Sequence, residues 1–455
     1  MRDYYLSVLK FGGTSMGTAQ TILSCVDVIK ERLNEGKKPF AVVSAISKMT
    51  DTLLKLLELA KTKKLQEFRT IFQAISDRHY EILKEITKDK DLIDKYSYIL
   101  NDKFVSLSSI FDGIFLTGDY SEKMQANILS YGEDLSSELM ELALTENGIK
   151  GKKINSKYLV KTNGDYLSAN VDFNKTKKCF SKLKDDIENG TVFVMTGFFG
   201  GGENDEIMLL GRGGSDYSGS IAGISLDANI VEIWTDADGV MSADPRLIPT
   251  AKSWEKMNKD IASEMARAGA KVLHPKTILA SYYNIDIIIK NLFNKKFKGT
   301  LVNSELYGDG VRGIVSDNGY SIIYIENQEM YNNFGFINKI GTIATENQIF
   351  IDMIATSEIS VSFTVRTKFL SNAALKALKA LSKKFLMIDD ITKVSVIGEN
   401  VSSSCTENMV FSALNEVCIN PILVSIGYSK NNIGIAVESK NKDTVLEALH
   451  KKFIK

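Results

Sequence analysis

Two textures of apolar residues alternate through the first third of the chain. The run Leu6-Ser7-Val8-Leu9 reads as a buried strand. Ile22, Cys25, Val26, Ile29 and Leu33 then recur at helical spacing until Gly36 stops them. Pro39 to Ala45 is again a near-continuous apolar run, the pattern of a strand covered on both faces, and Leu53 to Leu59 returns to the helical period. Strand, helix, strand in that order predicts a βαβ unit, because parallel strands need a crossover long enough to hold a helix. Residues 64–115 predict a mostly helical cover with interspersed charges and no chemistry of its own. A helix over 133–146, closed by Gly148, is expected to lead into a strand at 154–160. Further strands are predicted at 192–196, 229–235 and 285–289, with helices over 216–226 and 259–268.

From about residue 300 the segments shorten and a β-α-β-β pattern occurs twice. The first copy is expected as a strand at 321–325, a helix at 335–346, and strands at 349–354 and 359–365. The second is a strand at 393–397, a helix at 406–417, strands at 422–426 and 433–437, and a closing helix at 442–452. The expected organisation is therefore an α/β domain with a mainly parallel sheet over 1–300, then two ferredoxin-like units. Those units are placed at 301–390 and 391–455 with approximate, possibly interleaved boundaries.

Polar chemistry collects where predicted strands end. Lys10-Phe11-Gly12-Gly13-Thr14-Ser15 sets a cation, two glycines and two hydroxyls at the exit of the first strand, a composition suited to cradling an anion. It is not a Walker loop, since G-x-x-x-x-G-K-[ST] does not occur. Leu210-Gly211-Arg212-Gly213-Gly214-Ser215-Asp216-Tyr217 precedes a predicted helix, whose free N–H groups and dipole favour negative charge. Arg212 offers a fork for a carboxylate, and Asp216 reads either as a catalytic group or as a plain N-cap. Trp234-Thr235-Asp236 ends a strand at the sheet edge where open α/β folds bind nucleotides, and Asp244-Pro245-Arg246 follows, by itself no more than a turn. Gly269 to Pro275 contributes a second lysine, Lys271. Tyr131-Gly132-Glu133-Asp134 is read as opening a helix, where carboxylates also serve as dipole partners.

Composition narrows the field. Hydrophobic content is 44% and Lys+Arg equals Asp+Glu at 56 each, so nothing favours nucleic acid or an anionic membrane as partner. The four cysteines form no C-x-x-C pair and no zinc spacing, which fits a reducing cytoplasm. With three histidines a multi-histidine metal site is not expected. No long apolar run predicts a signal peptide or a membrane span.

In order along nearly the whole chain, these segments resemble aspartokinases of the amino acid kinase family, K-F-G-G-T-S and L-G-R-G-G-S-D-Y being the specific motifs. The resemblance implies a three-layer amino-acid-kinase sandwich followed by tandem ACT domains. It also implies ATP-dependent phosphorylation of the β-carboxylate of L-aspartate with Mg²⁺, the entry step to lysine, threonine and methionine. By the same resemblance Lys10 and Asp216 are catalytic, Asp216 orienting Lys10 or the metal. Arg212 takes the substrate's α-carboxylate and Glu133 its ammonium. Ser44, Ala45, Thr50, Phe198, Gly213, Gly214 and Ser215 line the aspartate pocket, and Lys10, Gly12, Gly13, Ser15, Thr235, Asp236, Arg246 and Lys271 contact the nucleotide. No residue is assigned as a metal ligand; magnesium is expected on the phosphate oxygens.

Relatives carry glycine or another small residue where Lys48 stands. In the tail Met330, Phe336, Ile337, Asp352, Ser357 and Glu358 match the effector segment of lysine-inhibited members, with Asp352 and Glu358 placed to balance the two ammonium groups of L-lysine. A homodimer or homotetramer through the ACT units is implied, and no fused homoserine dehydrogenase is expected after residue 455. Other kinases of this fold, such as glutamate kinase, lack this pair of motifs with a tandem tail. A catalytically silent sensor is disfavoured because Lys10, Arg212 and Asp216 all persist.

Overall fold

Every residue of the opening strand, Leu6–Phe11 (β1), is buried, and it lies inside a sheet rather than at its edge. The computed structural model describes residues 4–270, 274–294, 296–331, 335–427 and 429–454. The chain divides into two units. The first comprises Met1–Val240, Glu255–Lys259 and His274–Glu305, and the second Met241–Trp254, Asp260–Leu273 and Leu306–Lys455.

In the first unit β1 is followed by Ala19–Asn34 (α1), Lys38–Val43 (β2), Met49–Lys61 (α2), Leu65–Ile86 (α3), Lys90–Thr117 (α4) and Glu122–Glu146 (α5). Then come Gly151–Ile154 (β3), Val192–Thr196 (β4), Gly214–Leu226 (α6), Ile230–Thr235 (β5), Lys256–Asn258 (β6), Asp286–Asn291 (β7) and Thr300–Asn303 (β8). The strands form one sheet in the order β6-β8-β7-β5-β1-β2-β4-β3. All neighbours are parallel except β7 and β8. Alternation along β1 explains the layers. Leu9 and Phe11 join the core built with α1, α2 and α5, whereas Lys10 faces α6, where Gly219 lies against its Cβ. Helices thus cover both faces, the three-layer arrangement expected.

Two local expectations are corrected. The predicted helix at 133–146 is the second half of a 25-residue helix. Gly132 does not break it because that position packs on the 44–48 loop, where a Cβ would come within 2.8 Å of the Ala45 Cβ. The strand expected at 154–160 is instead β3 at Gly151–Ile154, with a 3-10 turn at Ser156–Tyr158. Asn155 starts that turn by accepting from the Lys157 N–H. The helical cover expected over 64–115 is present, as two helices parted at Thr87–Asp89, where Asp89 caps α4.

The second unit carries one six-stranded antiparallel sheet built from Gly310–Glu326 (β9), Ile351–Thr356 (β10), Ser360–Arg366 (β11), Lys384–Glu399 (β12), Leu423–Ile426 (β13) and Asn432–Glu438 (β14). Its order is β10-β11-β9-β12-β14-β13. The helices are Phe336–Glu346 (α8), Asn372–Ala380 (α9), Ser404–Glu416 (α10) and Lys442–Phe453 (α11), with Lys259–Arg267 (α7) entering from upstream. Ile323, Val361 and Phe363 pack on Phe336, Ile340 and Leu378, while Val394, Ile433 and Ile435 pack on Val410, Leu414 and Leu449. Each half of the sheet therefore has its own helix pair. The two ferredoxin-like halves share the long strands β9 and β12: residues 311–317 pair with 393–398, and 320–326 with 384–391. The strand expected at 321–325 is the second half of β9, which runs on from Gly310 through an irregularity between Asp317 and Tyr320.

Candidate active site

Lys10 leaves β1 almost fully buried, and its Nζ forms an ion pair with Asp216 Oδ1. Asp216 sits in the first turn of α6, whose N-cap is Gly213, so the plain N-cap alternative for Asp216 is set aside. α6 begins with no side-chain cap, which leaves its first N–H groups turned toward the same end of the sheet as the Lys10 loop. Gly12 N donates to the Trp234 carbonyl at 3.1 Å, and a Cβ at Gly12 would stand 3.6 Å from Lys10 Nζ. Ser15 is fully buried, its hydroxyl 3.5 Å from the same Trp234 carbonyl; that group is committed to the fold, turned away from the cleft. Behind Trp234 lies a buried bidentate pair, Arg32 to Glu232 at 2.6 and 2.9 Å, with the indole N–H donating to Glu232 at 3.2 Å.

Glu133 projects from the middle of α5 beneath this loop. Its Oε1 accepts from the Ser215 hydroxyl at 3.1 Å, while Oε2 is buried with no hydrogen-bond partner. Burial pushes the Glu133 carboxyl up to about 7, partly offset by the Ala45 backbone, Ser215 and the charge of Lys10. A buried carboxylate with a bare oxygen suits a cationic ligand. Ser44, next to Ala45, accepts from Ser136 of α5 at 2.6 Å through its carbonyl. Thr50 lies in the first turn of α2, half-buried. Lys48 caps that helix with φ 69°, the left-handed region that glycine adopts without cost. Lys48→Gly is therefore expected to stabilise the protein by about 1 kcal/mol, read as a higher denaturation midpoint in urea.

The 211–216 loop is shaped by its glycines. Gly211 and Gly213 take φ 77° and 69°, and the His274 ring lies where a Cβ on Gly213 would be. Gly214 meets Phe198 in the same way: a Cβ there would come 2.8 Å from the Phe198 ring. Arg212 is exposed between these glycines. Thr235 ends β5, and its hydroxyl donates to the carboxylate of Asp236, the next residue, at 3.2 Å. Asp238 beside them is held by the side-chain amides of Asn291 and Asn294 at 2.8 and 2.9 Å. Arg246 belongs to the second unit, where it pairs with Asp244 at 2.7 Å, and Lys271 lies outside the described residues.

Lys10, Gly12, Gly13, Ser44, Ala45, Glu133, Phe198, Gly213, Gly214, Ser215 and Asp216 thus belong to one connected set of loops and helix ends. Two members were not singled out from the sequence. His274 holds the glycine loop, and Arg78 of α3 donates to the Ser47 and Gly17 carbonyls at 3.0 Å each. Among the described residues no group of three or more His, Cys, Asp or Glu converges to hold a metal ion. No helix of the described residues is long and apolar enough to cross a membrane.

In the second unit Met330 and Phe336 join one apolar cluster, whereas Ile337 is exposed. Ser357 and Glu358 lie in the turn between β10 and β11, Ser357 bonded to Ser360 at 2.7 Å. Asp352, expected to face an effector ammonium, already forms an ion pair with buried Lys393. Both line a cavity of about 420 Å³ with Glu264, Arg267, Tyr320 and Arg366, and Phe350 and Phe369 stand at its exposed side.

A parallel sheet whose carboxyl edge gathers a buried lysine, glycine loops and uncapped helix starts is suited to holding small anions. The family model described as amino acid kinase family matches residues 6–291, and an ACT domain model matches 323–385. This chain belongs to the amino acid kinase family. Within it the chain is similar to aspartokinases. It is 30% identical to the bifunctional aspartokinase/homoserine dehydrogenase of Buchnera aphidicola over 467 residues, 98% of this chain and 56% of that protein. The chain thus spans little more than half of that relative's length. E. coli aspartokinase III in complex with aspartate and ADP (R-state) superimposes with a TM-score of 0.87 at 25% identity, covering 99% of this chain and 100% of that one. The same enzyme in complex with lysine and aspartate (T-state) gives 0.79 at 25% identity, with the same coverage of both chains.

Proposed function

We propose that this chain transfers the γ-phosphoryl group of ATP to the β-carboxylate of L-aspartate, giving 4-phospho-L-aspartate and ADP, and so opens the route to lysine, threonine and methionine. The observation that carries this reading is the juxtaposition around Ser215 and Asp216. Asp216 holds the buried cation Lys10, and Ser215 holds the buried, half-unpartnered carboxylate Glu133. One group suits a phosphate, the other an amino acid's ammonium. Resemblance to an enzyme crystallised with aspartate and ADP supports the same pairing.

The acceptor carboxylate has an ordinary pKa of about 3.9 and is ionised at neutral pH, so no general base is required. The obstacle is repulsion between two anions, and positioned cations relieve it. Lys10 neutralises charge on the transferred group, oriented by Asp216, and Arg212 takes the α-carboxylate. Glu133 takes the ammonium, and Ser44, Ala45, Thr50, Phe198, Gly213, Gly214 and Ser215 shape the aspartate pocket. Gly12, Gly13, Ser15, Thr235, Asp236, Arg246 and Lys271 serve the nucleotide, Ser15 through its backbone. Magnesium, when bound with the nucleotide, would supply further charge neutralisation.

Arg212→Ala is expected to raise the aspartate KM about 100-fold, the loss of a charge-assisted fork, while the ATP KM stays within about threefold. Steady-state kinetics with each substrate varied in turn checks this. The reading itself is tested by coupled ADP release with aspartate, glutamate and nucleoside monophosphates as acceptors. Aspartate alone should support turnover.

We further propose that residues of about 301–390 and 391–455, interleaved through the shared strands β9 and β12, act as ACT units, that these pair between chains in a dimer or tetramer, and that L-lysine is the feedback effector. The free cysteines among the described residues suit a cytoplasmic setting. Because Lys393 already occupies Asp352, an incoming ammonium must displace it. Lys393→Met should lower the lysine concentration giving half-inhibition by about tenfold. Titration of lysine into the assay, with threonine and methionine as controls, reads this out.

A further inference from the structure

The α3 helix belongs to the helical cover in which the sequence shows no chemistry, yet one of its side chains reaches two loops of the site. Arg78 Nη1 donates to the Ser47 carbonyl and Nη2 to the Gly17 carbonyl, each at 3.0 Å. Ser47 belongs to the loop carrying Ser44 and Ala45, and Gly17 ends the loop that begins at Lys10. The same loops meet again where Ser47 N donates to the Gly13 carbonyl at 3.0 Å. A Cβ on Gly13 would stand 3.1 Å from the Ala45 carbonyl. One planar guanidinium therefore spans a seam that backbone contacts close on its other side.

Arg78 is a half-buried cation whose position is not explained by an ion pair. Burial alone lowers its pKa, with no carboxylate acting on it, and its neighbour Asp77 bonds instead to Gln73. The next residue, His79, is fully enclosed and bonded to the Ile75 carbonyl at 2.6 Å, which anchors this turn of α3. The contacts also set a direction. The Ser47–Lys48 peptide is trans, so holding its carbonyl toward Arg78 turns the Lys48 N–H the opposite way. Lys48 is the left-handed cap of α2, a helix whose start has no side-chain cap. The residue thus fixes a strained peptide at the mouth of an uncapped helix.

We propose that Arg78 is a positioning residue of the phosphoryl-transfer site: it clasps the 12–17 and 44–48 loops together, so that acceptor and phosphate are presented in register. Its kinetic consequence rests on the kinase reading above; the clasp itself does not.

The test uses Arg78→Met and Arg78→Lys in the full chain. Arg78→Met should lower kcat/KM for aspartate about 100-fold, the loss typical of a site displaced by a fraction of a bond length. Added methylguanidinium should restore activity at least about tenfold, and Arg78→Lys, which keeps the charge but not the fork, should fall between. Amide hydrogen exchange should quicken in both the 12–18 and 44–50 segments of Arg78→Met, whether or not any substrate is turned over. Unchanged exchange in either segment overturns the clasp. Parental kinetics in Arg78→Met, or a loss that methylguanidinium leaves untouched, overturns the positioning role. A parent protein inactive with aspartate removes the kinase reading instead, and the exchange data still decide the clasp.

Discussion

Lys10→Ala is expected to reduce kcat about a thousandfold while leaving the aspartate KM within about threefold, because the role proposed for Lys10 is toward the transferred group. Lys10 is nearly enclosed, and its ammonium is fixed by Asp216 before any substrate arrives, so its field needs no reorganisation during reaction. Arginine is not expected to substitute. A planar guanidinium fork is broader than an ammonium and does not reproduce the compact point charge that Asp216 holds in place. Asp216→Ala should also lower kcat, and the double variant should be scarcely worse than Lys10→Ala alone, since the two act as a unit. Rapid-mixing measurement of ADP release separates this loss from product dissociation.

Glu133→Gln is expected to make the protein more stable and the enzyme worse. The Glu133 carboxyl sits at about 7 in the fold against an ordinary 4.5, chiefly through burial. Between those pH values the folded chain holds a proton that the unfolded chain has released, so the contribution of this one group to stability falls as pH rises from 4.5 and has reached its full cost above 7. The displacement corresponds to about 3 kcal/mol, which glutamine, carrying no charge, does not forfeit. At pH 8 the variant should resist urea better than the parent, and at pH 4 the two should converge. Glutamine cannot balance an ammonium, however, so the aspartate KM should rise about 100-fold. In the parent, kcat/KM for aspartate should fall about tenfold per pH unit below 7, as Glu133 takes up its proton.

The parts of this site written in local composition are legible without coordinates. Lys10 with its glycines, and Arg212 between Gly211 and Gly213, announce anion chemistry because glycine and charge act over a few residues. The strands that carry them are equally legible, since buried parallel strands are continuous apolar runs. What local pattern hides is tertiary. Gly132 looks like a helix breaker until Ala45 is seen against it, and Glu133 then changes from a helix-opening acid to a buried mid-helix one. The hydroxyl of Ser15 faces inward because the Trp234 carbonyl is there to meet it. Arg78 is indistinguishable by spacing from its solvated neighbours, and Asp352 gives no local sign that Lys393 will neutralise it. In the second unit Gly319 ends a strand by propensity, but pairing with β12 on both sides carries the strand through as a bulge.

The central claim is that fixed cations allow a carboxylate to capture phosphate without help from a base. It is tested most directly by incubating the protein with ATP, magnesium, L-aspartate and hydroxylamine, and measuring aspartyl hydroxamate against ADP. The account predicts that the two accumulate one for one, and that ADP release stops when aspartate is withheld. ADP formed at the same rate without aspartate, or with no hydroxamate beside it, would contradict it.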